Sequence, residues 1–208
     1  MQHWSYNFKS KQYIAKIIST FTNAPLVAIL VFILINYYFL KGYEFVVVTF
    51  ISIIFAALIP SIIAFLWIKN EKIEIDMPRK EDRFYPLLWI ILSYLIGVVL
   101  LYIISAPPIT TVLMFCYFSN TLIVLLISLF WKISIHSIGV AGPAAAIIYV
   151  FGYTGLIFIL LIPLVIWSRL YLKRHTLYQV IVGAFLGFTL TALQIYLLIG
   201  FKWNLKVN

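Results

Sequence analysis

Apolar runs of about membrane length follow one another along this chain with only short polar breaks. Runs at roughly 24–40, 45–68, 86–105, 108–131, 138–152, 155–168 and 177–200 are each about as long as a bilayer's hydrocarbon core, or slightly shorter. They predict about six to seven transmembrane helices; the lower count holds if 138–167 is one long tilted span. The breaks have physical causes. Lys41-Gly42-Tyr43-Glu44 is a polar turn, Pro107-Pro108 cannot continue a helix, and Gly152-Tyr153-Thr154-Gly155 supplies turn residues between two short helices. The first 23 residues differ: they are polar and aromatic, with Lys9, Lys11 and Lys16, while Ile14, Ile17, Ile18 and Phe21 recur at helical spacing. That segment predicts an N-terminal interfacial amphipathic helix, since no small-residue cleavage site follows a hydrophobic run. In the last span, Gly183-Ala184-Phe185-Leu186-Gly187 has the small-xxx-small spacing of close helix packing.

Composition makes the class unambiguous. Hydrophobic residues form 64% of the 208-residue chain and charged residues 10%, against about a quarter charged in a water-soluble domain. Soluble, disordered and disulfide-stapled classes are excluded, the last because Cys116 is the single cysteine. The expectation is an all-α polytopic transmembrane bundle, with 1–23 as the interfacial segment and 24–208 as one membrane domain.

A net charge of +9 on a soluble chain would suggest nucleic acid. Here the charges lie around the spans, so their placement carries the meaning. With seven spans, segments 69–85, 132–137 and 169–176 fall on one face with the N-terminus. Twelve of the fifteen basic residues then share that face: Lys9, Lys11, Lys16, Lys69, Lys72, Arg79, Lys80, Arg83, Lys132, Arg169, Lys173 and Arg174. Lys41, Lys202 and Lys206 lie on the other. The positive-inside rule makes the crowded face cytoplasmic. His136 and His175 lie there too, and histidine adds little to topology at neutral pH. Guanidinium, ammonium and imidazole groups from three distant segments therefore meet at one membrane surface, as an anion site requires.

The residues in these segments resemble the type 2 phosphatidic acid phosphatase (PAP2) superfamily. Ser168-Arg169, followed by His175 and Gln179, is similar to the family pattern S-R-x5-H-x3-D, with Gln179 in place of Asp. Lys132-Ile133-Ser134-Ile135-His136 is similar to P-S-G-H, keeping the Ser and His. Lys72 through Arg79 is similar to K-x6-R-P, with Lys80 for the Pro, and Arg83 competes with Arg79 for the family arginine. The resemblance covers roughly 69–200 and does not reach the first 68 residues.

This resemblance implies hydrolysis of a phosphomonoester or diphosphate through a phosphohistidine, without metal or cofactor. His175 is then the nucleophile and Gln179 orients its ring. His136 is the general acid that protonates the leaving oxygen. Lys72, Arg79 or Arg83, Lys132, Ser134 and Arg169 bind phosphate, whose charge in transfer spreads over its equatorial oxygens. Lys132, beside Trp131, reads equally as an interface anchor. Glu71, Glu74, Asp76, Glu81 and Asp82 alternate with basic residues, the pattern of a solvated, salt-bridged segment more than of a metal site. The expected substrate is a lipid phosphate or diphosphate (polyprenyl, phosphatidate or phosphatidylglycerophosphate) entering sideways from the bilayer. The competing class is a non-catalytic membrane transporter or binder of anionic lipid or phosphate, which internal inverted repeats would favour.

Overall fold

The computed structural model describes the backbone of residues 2–72, 79 and 81–200, with side chains from residue 10 onward. The Lys9 side chain, Glu74, Asp76, Lys80, Lys202 and Lys206 lie outside the described residues.

The described chain forms helices α1 (Gln2–Phe21), α2 (Ala24–Phe39), α3 (Gly42–Ile53), α4 (Ile59–Glu71), α5 (Phe84–Ile103), α6 (Pro108–Ser128), α7 (Ile135–Phe151), α8 (Leu161–Tyr171) and α9 (Leu177–Ile199). Five continuous helical runs are long and apolar enough to cross a membrane, and six if the bent pair Ser10–Phe21 and Ala24–Phe39 counts as one more. One of the five, Ile135–Tyr171, is folded back on itself. A Cβ on Gly155 would lie 2.7 Å from the Ile147 carbonyl, and Lys132 Nζ donates to the Arg174 carbonyl at 3.2 Å. Residues before and after the run therefore sit at the same end. Gly152, with φ of +58°, makes the reversal, and a 3-10 helix (Gly152–Leu160) leads into α8. The two short helices expected on either side of Gly152–Gly155 are thus antiparallel limbs, not one tilted span.

Local chemistry sets the other boundaries. Proline stands in the first turn of α2 and α6, where its missing N–H has no helical partner to lose. Pro60, inside the continuous run of α3 and α4, accounts for the π-helical turn Ile54–Leu58 that joins them, because an α-helix would need the bond its ring nitrogen cannot donate. Ser93 of α5 donates to the Phe55 carbonyl in that turn at 3.0 Å. α9 opens with a capping box between Thr176 and Gln179.

Helix α9 packs on α7 through missing side chains. A Cβ on Gly183 would come 2.8 Å from the Ser134 carbonyl, and one on Gly187 2.8 Å from the Ile138 carbonyl. The glycine spacing read from the sequence is therefore a backbone-to-backbone contact. Polar side chains pair inside the bundle: Asn36 donates to Thr49 at 3.2 Å and accepts from Thr110, while Asn120 donates to Thr191 at 2.9 Å and accepts from Gln194. Such pairs keep buried amides satisfied and tie α2 to α3 and α6, and α6 to α9.

Helix α1 meets α2 at a 51° bend and packs along α8. Its inward face is small: Ala15, Ser19 and Thr22 are buried. Ile14, Ile17 and Phe21 point outward, an apolar face turned away from the protein. Exposed aromatic residues ring both ends, with Tyr85, Trp131, Trp167 and Tyr178 at one and Tyr37, Tyr43, Tyr102 and Tyr153 at the other. Amphipathic rings at both levels suit two membrane–water interfaces.

Candidate active site

Three helices, α5, α7 and α9, begin at the end of the bundle where α8 finishes, and the loops between them are stitched together. Arg83 immediately precedes α5; it is buried, with 3% exposure, and its Nη1 donates to the Ile133 carbonyl at 2.9 Å. The next residue, Ser134, donates its backbone N–H to the Gln179 carbonyl at 3.3 Å. Lys132, one residue before Ile133, reaches the Arg174 carbonyl. Segments some fifty residues apart in sequence thus share one surface, and the N-terminal ends of α7 and α9, each carrying a partial positive charge, lie within it.

His175 stands between α8 and α9, half-buried, immediately before the Thr176 cap. Its Nδ1 lies 3.0 Å from Gln179 Oε1. The same oxygen accepts the Thr176 backbone N–H at 3.1 Å, and a carbonyl oxygen can only accept. The ring proton is therefore on Nδ1, and Nε2 carries the lone pair. Burial is the main influence on the ring, holding its pKa down at about 3; the Gln179 bond opposes the shift, and the charges of Arg169, Arg83 and Lys132 add to it. A neutral imidazole with a free Nε2, surrounded by three cations, suits attack on an anion's central atom. Burial does most to keep it neutral; of the cations that add to it, Arg83 and Lys132 come from other segments and Arg169 from the end of α8 in the same one.

Arg169, in the last turn of α8, is buried at 3% exposure and donates from Nη1 to Ser19 of α1 at 2.8 Å. His136 is half-buried in the first turn of α7, two residues beyond the cap.

Three expected phosphate-binding residues are placed differently. Ser134 is fully buried and is the N-cap of α7: its hydroxyl oxygen accepts from Ser137 N–H at 3.3 Å and from Ser137 Oγ at 2.9 Å. A hydroxyl committed to capping a buried helix end is a structural device, not a phosphate contact. Arg79 is exposed and pairs with Asp82 at 3.1 Å, so Arg83 and not Arg79 joins the cluster. That pair matches the salt-bridged reading of the acidic segment, while Glu74 and Asp76 lie outside the described residues. Lys72 is exposed at the C-cap of α4 in a left-handed conformation. Among the described residues, no three His, Cys, Asp or Glu side chains converge as a metal site.

Ser19 is the participant that the sequence pattern obscured. Attention falls naturally on the isoleucines of α1, yet the spacing of Ala15, Ser19 and Thr22 marks a second, small-residue face on the same helix. Compared with family models, characterised proteins and solved structures, the chain has no match.

Proposed function

We propose that this protein is a PAP2-type integral membrane phosphatase that hydrolyses a lipid phosphate or diphosphate through a phosphohistidine. The observation that carries the reading is the state of His175: Nδ1 bonded to Gln179 Oε1, Nε2 unprotonated, and Arg169, Arg83 and Lys132 close enough to act on its charge. The sequence resemblance in the third segment adds the expectation that this histidine, and not its neighbours, reacts.

In the proposed reaction the Nε2 lone pair attacks phosphorus in line with the lipid oxygen. The P–O bond to the lipid breaks, and its electron pair leaves on that oxygen, which takes a proton from His136. Arg169, Arg83 and Lys132 hold the oxygens that carry charge in the transition state. Water, losing a proton to the now neutral His136, then attacks phosphorus; the N–P bond breaks, its electron pair returns to Nε2, and inorganic phosphate leaves a restored His175. Exposed Tyr85, Trp131 and Tyr178 lie at the same end as the cluster, at the level of a membrane–water interface, so in this reading an amphipathic substrate reaches the site laterally with its chain still in the bilayer. We place the protein in the cell membrane with this end facing the cytoplasm, because the described basic residues other than Lys41 gather there.

Purified protein in detergent, given a panel of lipid monophosphates and diphosphates, tests the reading. Phosphate release should persist in excess EDTA and disappear in His175→Ala. Release that chelation abolishes and Mg²⁺ restores would overturn the phosphohistidine mechanism. Tight binding of lipid phosphates without any release would assign the site to a binder or transporter.

A further inference from the structure

Helix α1 lies outside the segment that resembles the phosphatases, yet it reaches the cluster. The Arg169 guanidinium donates to Ser19 Oγ at 2.8 Å, across 150 residues of sequence, with both side chains buried. Thr22, the next hydroxyl on that face, is used differently: it donates to the Ile18 carbonyl within its own helix at 2.7 Å. Small side chains at Ala15 and Ser19 let α1 approach α8 closely, and the Ser19 hydroxyl crosses to it.

We propose that Ser19 is a positioning residue for Arg169, making the N-terminal helix part of the phosphate site. The inference rests on the phosphatase reading. A long Arg side chain has many rotamers, and its fork is selective for phosphate only when its plane is held. A carboxylate would hold the plane and cancel the charge. A hydroxyl holds it and adds no opposing charge of its own, in surroundings where water competes little. Orientation of a clamp matters most where charge develops, on the equatorial oxygens in the transition state. The penalty for losing Ser19 should therefore fall on kcat.

The test is a double-variant cycle in the full-length protein, measuring steady-state hydrolysis of a lipid monophosphate in detergent. Ser19→Ala should lower kcat by about ten- to a hundredfold, the range for a lost orienting partner, with KM little changed and the melting temperature close to wild type. Ser19→Cys, which retains the volume and weakens the acceptor, should behave alike, and it serves if the alanine variant fails to fold. In an Arg169→Lys background, where there is no fork to orient, Ser19→Ala should add little further loss. Full activity in both Ser19 variants, or independent losses in the cycle, overturns the Ser19 assignment while leaving the phosphatase reading intact. A wild-type protein silent toward every lipid phosphate overturns that reading and this inference with it.

Discussion

Gln179 Oε1 serves two donors, the Thr176 N–H and His175 Nδ1, and so joins the capping of α9 to the state of the candidate nucleophile. The resemblance led to an Asp at this position, which would both orient and stabilise a cationic ring; the amide only orients it. Substituting Gln179→Glu retains the reach and the capping box and adds a negative charge beside the ring. That charge favours imidazolium, raising the His175 pKa from about 3 by roughly 1 to 3 units. Because only the neutral ring attacks, the acid limb of kcat/KM should move to higher pH in the variant. In the wild type, His175 itself should produce no loss of kcat/KM between about pH 5 and 7. Gln179→Leu removes both bonds and should cost about ten- to a hundredfold in kcat. A pH–rate profile of each variant decides the point; full activity in Gln179→Leu would mean that another group orients His175 or that His175 is not the nucleophile.

At the scale of helices, the α7–α9 contact holds the site's two loops at one height. Gly187 meets the Ile138 backbone and Gly183 the Ser134 carbonyl at the α7 cap. Backbone atoms cannot rotate aside as a side chain's end can, so an added methyl must part the helices. Gly187→Ala should destabilise the protein by about 1 to 3 kcal/mol, read as a lower melting temperature in detergent. Gly183→Ala, a turn nearer the site, should also separate Ser134 N–H from the Gln179 carbonyl and lower kcat beyond what the loss of stability explains. Equal stability losses with unchanged kcat would show that the crossing supports the fold without setting the site.

For the whole molecule, orientation is the property most open to direct measurement. Lys173 sits exposed between α8 and α9, beside the cluster, and Cys116 is buried in the bundle, so background labelling of the native thiol should be small. A cysteine at Lys173→Cys should resist membrane-impermeant maleimide applied outside intact cells and react once the membrane is opened. Efficient external labelling would place the cluster on the outer face. It would also mean that the basic residues there serve phosphate more than topology, since several of those counted are the proposed clamps.

Hydrophobic runs, breaks and charge placement decided the helical class, the shared end of the three basic segments and the glycine contact, because each depends on period and length alone. Even the His175–Gln179 pairing was legible from its spacing of four, although His175 stands just outside α9 and the contact is made across the Thr176 cap, not along a helical turn. What depended on contacts distant in sequence was not. Arg79 and Arg83 are equivalent to a pattern, but the fold pairs one with Asp82 in the open and buries the other against Ile133. Ser134 looks like a donor to phosphate until the α7 terminus takes it as a cap. The neutrality of His175 comes mostly from burial and then from the cations Arg169, Arg83 and Lys132. The role of Ser19 rests on a single hydrogen bond spanning 150 residues. Period and length are local properties that a sequence displays directly, whereas burial and cross-helix hydrogen bonds exist only once the bundle has closed.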